Sequence, residues 1–354
     1  MALTGHPASL SVYRGQSRTG EGEGPGKSVL HGEQYIAVDP PLFRAELLDA
    51  IRPWMTLDSD PADHQRLNDQ LEAWSLFPAA EYLFVVRLVS AGIYDRRAAY
   101  FAHGRAWKRD ALPRGFDVGL HLGRSTAFNA PWRDERPPVA LREEAPSVAR
   151  AEQVAAESET AVRFLGHLLQ AMTENQPLIV AAPIPDFAAG SALHVLVAVA
   201  RGGLPASLRR ECRLRVYSRA PERFLRHLGA NLIVVPEDAA SSAITARPGA
   251  TLIDRQGRKI AGRNLADRAQ EYAATVIERA IAIPEGLPFF SDRVRDLPGA
   301  DARTIPVSYN IAFAFAGPAD RKAELLRRYL PRAADKLGPG LRWSDLIDAE
   351  EWRD

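Results

Sequence analysis

The segment Pro177-Leu-Ile-Val-Ala-Ala182 opens the part of the chain whose rhythm decides the fold. It is a short apolar run ended by prolines, which is typical of a buried strand. The apolar stretch from Phe187 to Ala200 follows it and stops at Gly202-Gly203, as a buried helix does. A strand followed by a helix in this way predicts a largely parallel sheet with covering helices.

The same alternation continues along this half of the chain. Further strands are predicted at 213–218, 231–235 and 251–254, and further helices at 151–172, 221–228, 265–283 and 320–334. Ligands of such sheets bind beyond the carboxyl ends of the strands. The candidate residues at those ends are Pro183, Ser218, Arg219, Glu237 and Asp238.

The front half of the chain has a different pattern, with several extended segments and little helix. Glu81 to Ser90 carries β-branched and aromatic residues that suit a strand buried on both faces. Further strands are predicted at 10–14, 29–36, 97–107 and 116–124, and a helix at 40–51. We read this half as α+β with a mainly antiparallel sheet.

The proline-rich stretch from Asn129 to Val148 separates the two halves and has no sustained apolar period, which favours a solvated connector. A chain of 354 residues is also long for one ordinary core. The expected class is therefore α+β / α/β. We expect a mainly antiparallel α+β domain at 1–128, a linker at 129–148, and a three-layer α/β domain with a C-terminal helical extension at 149–354.

The glycine-rich loop at 15–30 contains Gly20-Glu-Gly-Glu-Gly-Pro-Gly-Lys-Ser28, which looks at first like a phosphate-binding loop. Such a loop needs a glycine where this chain has Glu21, and it leads into a helix. Here the following segment reads as extended. We therefore predict a surface loop and expect no nucleotide cofactor.

Composition bounds the remaining possibilities. The residues are 46% hydrophobic and 25% charged with a net charge of +1, which gives no electrostatic argument for nucleic acid. No apolar run reaches the roughly 20 residues that span a bilayer, and no secretory leader is recognisable. The single cysteine, Cys212, fits a reducing compartment. We expect a cytoplasmic protein that does not enter the membrane.

His103 and His121 are the best candidates for chemistry, because each lies in a predicted strand with a glycine close by. Asp117 shares a face with His121 and could orient its imidazole. These residues are either satisfied structural groups or an acid–base or phosphoryl-handling site. His31 and Glu33 could touch a metal, but no second ligand pair accompanies them, and we predict no metal site.

Five arginines, Arg209, Arg210, Arg213, Arg215 and Arg219, surround the strand predicted at 213–218. They form either a solvated face at a strand edge or a docking surface for an acidic partner. The cations and aromatics at 94–107 are interleaved as on a surface that binds single-stranded nucleic acid. Strand alternation sends those aromatics to both faces, however, which favours core positions.

Two stretches resemble the bacterial GTPase-associated protein family of nucleotide-dependent conflict systems. Arg97-Ala-Ala-Tyr-Phe-Ala-His-Gly104 is similar to a strand of that family's N-terminal domain. Leu204-Pro-Ala-Ser-Leu-Arg209, followed by a strand and by Gly229-Ala-Asn-Leu-Ile-Val-Val-Pro236, resembles its middle domain. The resemblance covers about 8–290 and implies an adaptor or regulator that works beside a small GTPase in defence signalling.

The leading hypothesis is a non-enzymatic, cytoplasmic adaptor that docks on a GTPase or a related NTPase. Its support is the resemblance, the arginine-rich segment and the lack of a recognisable catalytic motif. Two alternatives stay open. One is an enzyme that uses His103, His121 and Asp117, and the other is a protein that binds single-stranded nucleic acid.

Overall fold

The computed structural model describes residues 10–18, 30–39, 45–68, 70–94, 97–109 and 154–282. Within these ranges the strands form one ten-stranded sheet in the order β10-β9-β6-β8-β7-β3-β4-β5-β1-β2. The predictions for the Gly20–Ser28 loop, the strand at 116–124, the linker at 129–148 and the helix at 320–334 lie outside the described residues.

The front half supplies five antiparallel strands, as predicted, in the order β3-β4-β5-β1-β2. They are β1 (Leu10–Arg18), β2 (Leu30–Asp39), β3 (Glu72–Ala79), β4 (Tyr82–Tyr94) and β5 (Arg97–Lys108). Helix α1 (Ala45–Ile51), a 3-10 turn (Arg52–Met55) and helix α2 (Pro61–Arg66) lie between β2 and β3. Strand β3 was not predicted from the sequence, because its run contains Glu72 and Ser75 within an otherwise apolar segment.

The second half alternates strands and helices, and strands β7, β8, β6 and β9 are parallel, as predicted. Its strands are β6 (Leu178–Ala182), β7 (Leu214–Val216), β8 (Leu232–Pro236), β9 (Thr251–Ile253) and β10 (Lys259–Ala261). Its helices are α3 (Ser158–Thr173), α4 (Ala192–Gly202), α5 (Ala206–Glu211), α6 (Ala240–Ala246) and α7 (Asp267–Ala282). Among the helices of the described ranges, none is long and apolar enough to cross a membrane.

Two helical predictions differ in their bounds. Helix α4 begins at Ala192 rather than near Phe187, because the Ser191 hydroxyl accepts a hydrogen bond from the Leu193 N–H (3.2 Å) and caps the helix there. Residues Ile184–Phe187 form a separate 3-10 turn. The helix predicted at 221–228 is a single π-helical turn, Arg223–His227.

The two halves share the sheet through β3 and β7. These strands are antiparallel, and Trp74 is opposite Val216 in their register. Strand β3 is fully buried along Glu72 to Pro78. The antiparallel and parallel parts are therefore continuous through a buried strand pair, while the predicted division into two domains stays a prediction.

Strand β3 is covered on both faces. The Ser75 hydroxyl donates to the Trp54 carbonyl (3.0 Å), whereas the neighbouring Trp74 ring meets the His194 ring edge-on at 6.3 Å. Successive strand residues point to opposite faces, so the turn at 52–55 and helix α4 cover opposite sides of the sheet. Helical segments therefore cover both faces of the sheet at β3.

Helix α2 begins at a clear local signal. The Asp60 side chain accepts from the Ala62 N–H (2.8 Å), and Pro61 occupies the first helical position. The segment from Thr56 to Arg66 is thereby fixed beside the end of β7, where Asp58 and Asp63 meet the residues that follow that strand.

Candidate functional site

Charged side chains meet at the carboxyl ends of the parallel strands. Arg219 follows β7 and donates through Nη1 to Oδ1 of Asp238, which follows the neighbouring strand β8 (2.7 Å). Arg255 follows β9 and donates through Nε to Oδ2 of Asp186, which follows β6 (2.8 Å). The structure therefore brings together two of the residues that the sequence named for this end of the sheet, Arg219 and Asp238.

The front half contributes a buried carboxylate, Asp63 of α2, to the same place. Arg219 donates to it as a fork, from Nε to Oδ2 and from Nη2 to Oδ1, both at 2.7 Å. The Tyr217 hydroxyl also donates to Oδ2 (2.7 Å). The Asp63 side chain is completely buried, and that of Arg219 is 21% exposed. This bidentate pair therefore joins the two halves at the edge of the buried interior.

A second carboxylate, Asp58, lies among donors of the β7 end. Its Oδ2 accepts from the Ser218 hydroxyl (2.5 Å) and from the Ala220 N–H (2.8 Å). Its Oδ1 accepts from Arg215 Nη2 (3.3 Å). Asp58 differs from Asp63 in exposure, because 19% of its side chain reaches solvent.

Arg215 is the most deeply buried cation of the site, with a side chain that is 0% exposed. Its guanidinium donates to the carbonyls of Trp54 (3.1 Å), Thr56 (2.9 Å) and Tyr217 (2.8 Å). It also donates to the Ser75 hydroxyl (2.9 Å) and lies over the Phe224 ring at 5.0 Å. Burial lowers the pKa of Arg215, and the charge of Asp58 opposes that shift.

Hydrogen bonds within this cluster stabilise the charged forms of Arg219 and Asp238. Hydrogen bonding to Asp63 raises the pKa of Arg219, and the hydrogen bond from Arg219 lowers the pKa of Asp238. Burial, followed by the hydrogen bond to Asp63, raises the pKa of Tyr217. The Tyr217 backbone has a φ of +69°, in the left-handed region that residues other than glycine rarely adopt. At neutral pH Arg219 and Asp238 are therefore ionised, and the phenol of Tyr217 is neutral.

Arg255 forms a similar set of ion pairs, with Glu157 and with Asp186. Its Nη1 and Nη2 donate to the two carboxylate oxygens of Glu157 at 2.9 and 3.1 Å, while its Nε donates to Asp186. Burial lowers the pKa of Arg255, but the hydrogen bonds and charge of Glu157 outweigh it and leave the pKa raised. The charges at this end of the sheet are thus paired with each other.

His103, the described member of the predicted acid–base site, lies in β5 and is 1% exposed. It is opposite Arg87 in the β4–β5 register. Burial and then the charges of Arg105 and Arg87 hold the pKa of His103 well below its ordinary value. Its imidazole is therefore neutral at neutral pH. His121 and Asp117 lie outside the described residues, so the grouping of these three residues stays a prediction.

A buried group that the sequence did not reveal lies between β3 and α4. Glu72 accepts a short hydrogen bond from Arg87 Nε, and its other oxygen is 3.8 Å from His194 Nδ1. That oxygen and both His194 ring nitrogens have no hydrogen-bond partner among the described residues. Burial, opposed by Glu72, lowers the pKa of His194 to about 4. Only the apolar surroundings of Glu72 in the sequence could have indicated a buried carboxylate.

The five arginines at 209–219 do not form one surface. Strand β7 lies inside the sheet between β8 and β3, so the expected strand edge is wrong. Arg209 and Arg215 are buried, and Arg209 Nη1 donates to the Gly202 carbonyl (3.2 Å). Arg219 is at the carboxyl end of β7, while Arg210 and Arg213 precede the strand at its amino end. Arg210 is exposed and Arg213 half-buried, and their role in partner binding stays a prediction.

The remaining candidates occupy ordinary positions. Tyr100, Phe101 and Trp107 are 3–4% exposed, which confirms core positions for these aromatics and leaves them no open ring face for a base. Cys212 is buried. Glu237 is exposed, and Pro183 precedes the 3-10 turn after β6. Within the described ranges, no group of three or more His, Cys, Asp or Glu residues could hold a metal ion.

Comparisons of this chain with known proteins gave no match. No protein-family model matches the chain, and neither the curated proteins nor the solved structures include a match.

Proposed function

We propose that this chain is a non-enzymatic adaptor or regulator that docks on a small GTPase or a related NTPase in a bacterial defence system. The GTPase part of the proposal comes from the resemblance carried by Arg97–Gly104 and Leu204–Arg209. The adaptor part is supported by the side chains that occupy the carboxyl ends of the parallel strands.

One observation carries the adaptor part. In open parallel sheets, substrates and cofactors bind beyond the carboxyl ends of the strands. Here that place is filled by the chain's own groups, because Asp58 and Asp63 from the front half accept hydrogen bonds from Ser218, Arg219 and Ala220. Charges that are held in this way fix one half of the molecule against the other, which suits a binding protein of defined shape.

The docking surface that we propose is the opposite, amino-terminal end of the parallel strands. Exposed Arg210 lies before β7, and exposed Arg247 lies before β9. Exposed Arg226 is beside Arg247, because its Nε donates to the carbonyl of Ala246 (2.7 Å). Arginines at one end of the molecule complement an acidic partner surface and accelerate its encounter at low salt.

The proposal predicts a complex with an NTPase encoded beside this chain. Purified chain, immobilised in the presence of GDP or of a non-hydrolysable GTP analogue, is expected to retain such a protein from a co-expression lysate. Binding is then quantified with the purified pair by calorimetry. Recovery of no NTPase in either nucleotide state would contradict the proposal.

The docking surface is tested by charge reversal. The double variant R226E/R247E is expected to weaken the complex by about tenfold or more, because close like charges at an interface cost on the order of 1–3 kcal/mol. The matched control is R258E/R263E, which changes two exposed arginines near β10. Equal affinities for both variants would place the docking surface elsewhere, and a cooperative unfolding transition in urea verifies that each variant is folded.

A further inference from the structure

The donors that surround Asp58 suggest a second use for the end of β7. They are a serine hydroxyl, a backbone N–H and an arginine, namely Ser218, Ala220 and Arg215. Hydroxyl, backbone N–H and guanidinium donors together are the set with which proteins bind phosphate groups. We propose that this set is a phosphate-binding site that Asp58 occupies in cis.

The two carboxylates at this end have different parts in the proposal. Asp63 is completely buried and holds Arg219 through a fork of two hydrogen bonds. Asp58 is 19% exposed and receives a longer bond from Arg215, at 3.3 Å. Asp63 is the permanent anchor, and Asp58 is the group that a phosphate replaces.

The buried charge of Arg215 explains why the place calls for an anion. Apart from Asp58, the groups that its guanidinium contacts by hydrogen bonds in the described chain are neutral, namely three carbonyls and the Ser75 hydroxyl. A buried cation without a counter-ion is strongly destabilising. Loss or outward movement of Asp58 therefore leaves a site that favours an anion.

A phosphate dianion has an advantage over the carboxylate that it replaces. It carries up to twice the charge and offers more acceptor oxygens to the same donors. Asp58, however, is tethered, so it competes at the high effective concentration of an intramolecular group. The wild-type chain should therefore bind phosphate weakly, and removal of the Asp58 carboxylate should strengthen binding.

The test uses the full chain and its D58A variant, with inorganic phosphate as the probe and sodium chloride at equal ionic strength as the blank. Phosphate at about tenfold above its Kd should raise the Tm of D58A by roughly 2–4 °C. The same concentration should move the wild-type Tm less. If D58A does not fold, D58N keeps the side-chain volume and takes its place.

Two controls separate the site from simple repair of a lost carboxylate. Formate can fill the place of the Asp58 carboxylate, but it lacks the additional charge and oxygens of phosphate. Phosphate is therefore expected to bind D58A about tenfold or more tightly than formate, since each charged hydrogen bond adds on the order of 1 kcal/mol or more. In D58A/S218A this preference should shrink, because a phosphate donor is lost.

A third probe distinguishes the source of the phosphate. A nucleoside 5′-monophosphate is expected to bind D58A no more tightly than inorganic phosphate, because the named donors contact only the oxyanion. Tighter binding of the nucleotide would overturn the assignment to a phosphate group alone. Equal binding of formate and phosphate, or no binding of phosphate to either folded variant, would overturn the proposal itself.

Discussion

Arg215 is a buried cation whose hydrogen bonds connect several segments of the chain. Its side chain lies in a central strand, where a buried cation destabilises the fold unless all of its N–H groups form hydrogen bonds. Its Nη1 donates to the turn at 52–55 and to β3, its Nε donates to the residue after its own strand, and its Nη2 donates to Thr56 and Asp58. One residue thereby connects segments that are far apart in the sequence, and a lysine could not reproduce the planar fork.

Replacement of Arg215 by alanine should therefore destabilise the chain by about 3–5 kcal/mol, because it removes the donor to the Thr56 and Tyr217 carbonyls and the cation paired with Asp58. The exposed Arg223, in the π-helical turn at 223–227, provides the matched control. R223A should change the free energy of unfolding by no more than about 0.5 kcal/mol. Urea unfolding measures both variants, and similar values for the two would contradict the structural role given to Arg215.

At the scale of single residues, the sequence predicted which residues lie at the carboxyl ends of the parallel strands but not which groups contact them. Ser218, Arg219 and Asp238 follow apolar runs, so their location at strand ends could be read from the pattern. Asp58 and Asp63 belong to a segment that looks like an ordinary polar turn and helix start. Their burial depends on a contact across about 150 positions, which no local periodicity encodes.

Among the elements, the hairpin of β9 and β10 is the least apparent in the sequence. Strand β10 spans only Lys259–Ala261, and its residues are largely exposed. An exposed edge strand lacks the apolar period by which buried strands are recognised, so β10 was not predicted. The long strands β4 and β5 and the buried strands β6 and β8 were found, because apolar runs identify them.

Gly262 lies at the end of that hairpin, in a backbone conformation and a close contact that favour glycine. Its φ is +87°, and a Cβ there would lie 2.6 Å from the Ala250 carbonyl oxygen. G262A should therefore destabilise the chain by about 2 kcal/mol more than G190A, because overpacking against backbone adds to the cost of a positive φ.

Gly190 is the matched control for this comparison. It also has a positive φ, +79°, but no atom lies within 4 Å of the position of its Cβ. G190A should cost only about 1 kcal/mol, the penalty for the left-handed conformation. Thermal or urea unfolding measures the difference, and equal losses in the two variants would show that the contact at Gly262 relaxes freely.

Over the whole molecule, buried histidines link stability to pH. Burial lowers the pKa values of His167 and His194 to about 4, and that of His103 is also well below its ordinary value. The unfolded chain binds protons at these histidines near pH 6.5, whereas the folded chain does not. Their contribution to stability is therefore complete above about pH 6.5 and declines as the pH falls toward 4.

Urea unfolding between pH 7 and pH 4 should show this loss, of the order of 1–3 kcal/mol for each fully buried histidine. The variant H194Q should have a shallower decline than wild type, because one proton-binding difference between the two states is removed. Near-UV circular dichroism at pH 7 verifies that the variant is folded. A decline of unchanged steepness would contradict a neutral His194 in the folded chain.

The union of β3 and β7 also has a consequence for how the chain is made. Ser75 and Arg215 are 140 residues apart, and a ribosome that adds about 5–20 residues per second needs roughly 7–28 s to cover that distance. Until then the nascent chain carries β3 with one open edge, whose unpaired backbone N–H and C=O groups are able to pair with a neighbouring chain. The speed of translation and the crowding of polysomes therefore influence how much of the product reaches the continuous sheet.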